Sequence, residues 1–113
     1  MNKNIAIKYF ELFSKGDVIG LKEIYHNSIK LIDWNGEWNG LNQVINMNQS
    51  LFEDLNPKVS IVRIEEINNR LYCLINIDVG DENIKVMDVI DIDGEGKISK
   101  IGYINTETTN NNL

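Results

Sequence analysis

The hydrophobic period changes at the chain's single proline, Pro57, and this constrains the fold more than any other feature of the sequence. Before it, apolar residues recur at three- and four-residue intervals, the mark of amphipathic helices. After it they alternate, the mark of half-buried strands. Ile5, Ala6, Tyr9, Leu12 and Phe13 predict a helix over 3–14, stopped by Lys15-Gly16-Asp17, with Gly16 as its C-terminal cap and Asp17 as the next N-cap. A short helix over 18–25 follows, with Leu21, Ile24 and Tyr25 on one side. His26-Asn27-Ser28 reads as a turn, 29–33 as a short strand, 34–40 as a loop with the near-repeat Trp-Asn-Gly, and 41–52 as a third helix. Strands are expected over 59–67, 70–79, 84–92 and 98–105, joined by short turn-rich links into an antiparallel meander. Helices first and sheet second make an α+β domain, with three N-terminal helices packed on a curved antiparallel sheet.

At 113 residues the chain has room for one domain, read as 1–105, with a polar C-terminal tail over 106–113. Lys and Arg total 11 against 17 Asp and Glu, a formal charge of −6. That balance argues against a nucleic-acid partner and against an anionic membrane surface. One cysteine, Cys73, excludes an internal disulfide and a cysteine-based zinc cluster; one histidine, His26, excludes a multi-histidine metal site. The N-terminal residues do not read as a targeting signal, no apolar run reaches membrane-spanning length, and a reduced cytoplasmic setting is expected.

One strand breaks its own pattern. Within 84–92, the residues Ile84, Val86, Asp88, Ile90 and Ile92 share a face, and Asp88 alone on it is polar. The matching face of 70–79, formed by Leu71, Cys73, Ile75, Ile77 and Val79, holds no counter-ion. A carboxylate there is costly unless paired or protonated, and neutrality at pH 7 needs a shift of more than ~3 units, about 4 kcal/mol. Asp33 ends a short apolar face at the mouth of the Trp34–Gly40 loop, and Tyr9 lies on the buried stripe of the first helix. Two acids and a phenol directed into one apolar space would supply a general base and two hydrogen-bond donors, the set needed for proton abstraction beside a carbonyl. Blander roles stay open: Asp88 could hold a bulge or pair with a distant cation, Asp33 could form a turn, and Tyr9 could be core.

The pattern from Tyr9 through Asp17, then Leu21 to Tyr25, Ile32-Asp33-Trp34-Asn35-Gly36, Asn39-Gly40, and the strand–turn–strand run from Asp88 to Ile98 resembles the nuclear-transport-factor-2-like (NTF2-like) superfamily, in its SnoaL-like and ketosteroid-isomerase-like branch. The resemblance covers nearly all of 5–105. It implies a cone of bent antiparallel sheet closed by helices, often a homodimer, with Tyr9 and Asp88 as oxyanion-hole donors and Asp33 as the proton shuttle. It implies no cofactor, no metal and a small apolar ligand. Trp34, Trp38, Val86, Ile90 and Tyr103 are the expected substrate contacts, with Trp34 and Trp38 equally able to rim the pocket mouth or to seal the core. Asn48 stands where some members carry a further tyrosine. Trp34 and Asn35 depart from the pattern after the base, and Asn105 departs from an aromatic position. A polyketide-cyclase-like activity and a non-catalytic binding or dimerisation module are the alternatives. For the last, strand alternation places Tyr72, Leu74, Met87, Val89, Ile101 and Tyr103 on outer faces, so Tyr103 stands in both readings. Cys73 reads as inert core, His26 as a helix-end residue, and Asp91, Asp93 and Glu95 as a solvated hairpin without calcium-loop spacing.

Overall fold

A computed structural model describes residues 2–105; the expected tail at 106–113 lies outside them. Helix α1 (Lys3–Lys15) ends where Gly16 turns left-handed at φ 67°, its N–H reaching the Phe13 carbonyl at 3.1 Å. Asp17 then caps α2 (Val18–Ile24), accepting the Gly20 N–H at 2.9 Å. The two helices meet closely at Gly20, where an added Cβ would sit 2.7 Å from the Leu12 side chain. Strand β1 (Tyr25–Asp33) and β2 (Gly36–Asn39) form a hairpin, α3 (Leu41–Asp54) follows, and β3 (Lys58–Ile67), β4 (Arg70–Val79), β5 (Glu82–Ile92) and β6 (Ile98–Ile104) complete the chain.

The six strands form one sheet in the order β2-β1-β6-β5-β4-β3. The last four make the expected meander. Its first hairpin turns on Asn68 and Asn69, both at positive φ, the geometry that matches strand twist in a two-residue loop. All pairs are antiparallel except one: β1 runs parallel to β6, a correction to the expected all-antiparallel sheet. The fourth meander strand closes back beside β1, and alternation within a strand carries no information about which strand becomes its neighbour.

Two further expectations change. His26-Asn27-Ser28 belongs to β1 rather than to a turn. The register against β6 slips between Tyr25 and Lys30, so these polar residues sit in an irregular, outward stretch of a strand. The 34–40 loop contains β2, because Trp38 pairs with Leu31 and lays its indole against the core.

The most consequential correction concerns β6. Simple alternation puts Ile101 and Tyr103 outside with Ser99. A bulge between the Asp91–Lys100 and Ile92–Ile98 pairs inserts one residue and inverts the alternation. Ile98 and Ile101 are therefore both buried, and Tyr103 stands opposite Asp88 on the inner face. Leu21, Ile29, Leu71, Ile75, Ile90 and Ile98 fill the core between this face and the helices.

Gly16→Ala forces a Cβ into the left-handed region and is expected to lower unfolding free energy by about 1–2 kcal/mol. Gly94→Ala, at an open position without positive φ, should change it by less than about 0.5 kcal/mol; urea denaturation of both variants checks the contrast.

Candidate functional site

The helices do not seal the inner sheet face completely. A cavity of about 270 Å³ remains between α1, α3, the β1–β2 turn and strands β4 to β6. Tyr9 and Phe13 reach it from α1, Asp33 and Trp34 from the hairpin turn, Asn48 from α3, and Asp88 from β5. The three residues singled out for chemistry thus share one space. The other ionisable groups on its wall are Glu82 and Tyr103; among the described residues no Lys, Arg or His lines it.

Asp88 sits between Val86 and Ile90, which are buried, and opposite Cys73 on β4 and Tyr103 on β6. Burial, with a contribution from the nearby charge of Asp33, pushes its carboxyl up to about 7. Among the described residues it makes no ion pair. Cys73 is buried and free, its thiol pushed up to about 12 by burial and by Asp88's charge, which suits an inert core residue.

Tyr9 is fully enclosed at 3% exposure. Burial, then Tyr25, then the charge of Asp88 hold its hydroxyl well above the usual phenol range, so it stays a proton donor. It is hydrogen-bonded to Tyr25, whose own hydroxyl is raised by burial. Tyr25 in turn donates to Oδ1 of Asn48 at 2.7 Å. Asn48 is completely buried, a polar side chain on the Val44–Ile45 stripe of α3. Tyr25 and Asn48 are the site residues that sequence reasoning did not assign a role. An amide three residues on from Ile45, among core positions, was the available signal.

Asp33, like Asp88, is half-buried. Its Oδ1 accepts the Asn35 N–H at 2.7 Å and so holds the hairpin turn, while the carboxylate remains on the cavity wall. The turn-forming and cavity-facing readings of this residue therefore coexist. Trp34, half-exposed, packs edge-to-face on Tyr103 with ring centroids 5.5 Å apart, and both line the cavity. Trp38, Val86 and Ile90 lie on the same sheet face but stand in the packed core rather than on the cavity wall.

Away from the cavity, His26, Asp93 and Glu95 bring potential ligand atoms within 4.8 Å of one another. Two atoms of this set are already engaged in bracing local backbone. Nδ1 of His26 accepts the Ser28 N–H at 2.9 Å, which keeps the neutral ring's proton on Nε2, the atom 3.8 Å from Asp93. Oδ1 of Asp93 accepts the Glu95 and Lys97 N–H groups and braces the β5–β6 turn. Asp91 is held by Arg70 at 2.7 and 3.2 Å.

The raised carboxyl has a stability consequence of definite sign. Between an unfolded value near 3.8 and a folded value of about 7, the native state binds the extra proton, so stability falls as pH rises through that window. Relative to Asp88→Asn, the wild-type protein should lose about 4 kcal/mol between pH 4 and pH 8. Urea unfolding of both proteins at the two pH values measures the difference directly.

No protein-family model and no curated protein sequence matches the chain. Solved structures do. An NTF2-like protein of unknown function from Cytophaga hutchinsonii superposes with a TM-score of 0.81 at 10% identity, covering 92% of this chain and 88% of that one. A candidate ketosteroid isomerase from Kribbella flavida gives 0.81 at 13% identity, over 90% and 75%. A candidate polyketide cyclase from Sinorhizobium meliloti gives 0.82 at 12% identity, over 89% and 94%. At these identities the likeness speaks for architecture, and the chain has the NTF2-like fold.

Proposed function

We propose that this protein is a cofactor-free acid/base enzyme of the ketosteroid-isomerase-like kind. It would move a proton between carbons flanking the carbonyl of a small, apolar, uncharged ketone. The observation that carries the reading is the company Asp88 keeps: a carboxyl raised to about 7 with no cation on the cavity wall, facing the same space as Asp33 and Tyr9. Two carboxyls whose environments separate their protonation states divide into an acid and a base.

In this mechanism the carbonyl oxygen accepts hydrogen bonds from the protonated Asp88 and from the Tyr9 hydroxyl, whose single proton turns from Tyr25 to the ligand. Ionised Asp33 takes the α proton, and the electron pair of the broken C–H bond moves into a dienolate whose oxygen the two donors stabilise. Asp33 then returns the proton to the γ carbon, leaving the conjugated enone and a regenerated carboxylate. The protein's contribution is placement, a largely apolar wall, and an acid at Asp88 in position before charge develops. The candidate isomerase and candidate cyclase among the structural relatives support the reading at the level of architecture. An aldol closure of the cyclase type would draw on the same acid and base.

Enone formation from β,γ-unsaturated ketones, followed by ultraviolet absorbance, tests the proposal. Asp33→Asn should lower kcat by about 10²–10⁴-fold and Asp88→Leu by about 10²–10³-fold. The wild-type rate should fall as pH rises through about 7, where Asp88 ionises and ceases to donate. Turnover unaffected by both substitutions would overturn the assignment.

We further propose that the protein pairs with a second copy through the outer sheet face. There Tyr72, Leu74, Met87 and Val89 form an apolar, half-exposed patch directed away from the helices. Light scattering should give a dimer mass, and Val89→Lys combined with Leu74→Lys should give a monomer.

A further inference from the structure

Asn48 has a spare donor, and the geometry fixes where that donor is. A carboxamide offers one acceptor oxygen and two N–H donors. Here the oxygen is committed: it accepts from the Tyr25 hydroxyl at 2.7 Å, and Tyr25 lies behind the cavity wall rather than on it. The same bond settles the amide's orientation, because Tyr25 receives its own hydrogen bond from Tyr9 and must pass its proton onward. The nitrogen therefore occupies the opposite side. Its partner there is the sulfur of Met47 at 3.8 Å, a weak acceptor belonging to a residue that does line the cavity. Asn48 itself is on the wall and has 0% exposure. A fully buried amide nitrogen whose protein partner is a thioether is under-satisfied, and buried polar groups generally find a full partner.

We infer that Asn48 is a ligand-binding residue: its Nδ2 donates to a second oxygen of the ligand, so the cavity selects an uncharged ketone that carries an additional acceptor over a plain hydrocarbon ketone. The charge of the second group follows from its surroundings. Asp33, Asp88 and Glu82 are the ionisable side chains nearest the space apart from Tyr9 and Tyr103, and no described cation offsets them. A carboxylate or phosphate would be repelled, so the acceptor is an ether, ester, hydroxyl or second carbonyl oxygen. The volume, about 270 Å³, lies just below the range of roughly 300–1,000 Å³ for drug-sized ligands, which favours a one- or two-ring compound. This inference rests on the reading of the cavity as a ketone site.

The test uses β-tetralone, a two-ring ketone, with its aromatic-ring methoxy isomers and the ethyl analogue matching each isomer in shape. Dissociation constants are measured by tryptophan fluorescence or by NMR titration of the intact protein. At least one methoxy isomer should bind about three- to tenfold more tightly than its ethyl analogue, the worth of one good hydrogen bond. On binding that isomer, the Asn48 side-chain amide proton should move downfield in a nitrogen-edited spectrum; on binding the ethyl analogue it should not. In Asn48→Leu the methoxy preference should vanish while β-tetralone still binds. The spectral readout needs no variant, so it stands even where loss of Tyr25's acceptor weakens folding. Methoxy and ethyl isomers binding alike, a preference that survives Asn48→Leu, or an amide proton that does not move would each overturn this role for Asn48 while leaving the ketone site intact. Failure of β-tetralone and every derivative to bind would overturn both.

Discussion

A carboxyl group embedded between Val86 and Ile90, with Cys73 across one strand and Tyr103 across the other, cannot hold its charge as it would in water. Every functional property of the cavity follows from how the protein resolves that conflict. Among the described residues it supplies no cation on the cavity wall. It raises the carboxyl's hold on its proton and adds a second acid, Asp33, whose charge makes removal of that proton harder still. In the proposed reaction a neutral acid and an ionised one in one small space are two different reagents made from the same amino acid. Both side chains are half-buried, so the distinction rests on surroundings: Asp33 sits at the open hairpin turn and accepts the Asn35 N–H, whereas Asp88 lies mid-strand between buried Val86 and Ile90.

The hydrogen-bonded series from Tyr9 through Tyr25 to Asn48 extends the same logic to the opposite wall. Each hydroxyl is too buried to ionise, so each must donate, and the direction of donation passes along the series until an amide oxygen absorbs it. The series therefore holds Tyr9's proton toward Tyr25, and in the proposed reaction a ligand carbonyl draws it back while Asp33 serves as base at the mouth. Its apolar lining deepens the contrast, because hydrogen bonds exposed to little water are worth more to a developing oxyanion than the same bonds at a wet surface.

Much of this was legible in the sequence, and the reasons are local. The helix stop at Gly16-Asp17, the break at Pro57 and the Asn68-Asn69 turn are dictated by backbone preferences of single residues, so the elements they bound could be read directly. Asp88 was legible because a strand face is a two-residue pattern and one acid interrupts it. What could not be read depended on pairing. The parallel contact of β1 with β6 joins segments distant in the chain. The bulge in β6 reverses the face of Ile101 and Tyr103 without leaving a mark in local composition. Asn48 was visible as a residue, yet its role depends on a tyrosine from another element that alternation and helical period could only describe as apolar.

The bulge in β6 also shows how the fold and the site are coupled. Without the extra residue, Tyr103 would face outward and the register set by the Ile92–Ile98 pair would place Gly102, which has no side chain, opposite Asp88. With it, Tyr103 stands opposite Asp88 on the cavity wall, and Trp34, carried by the turn that Asp33 braces, packs against its ring. One inserted residue in β6 thus decides which side chain the fold presents to the carboxyl on β5.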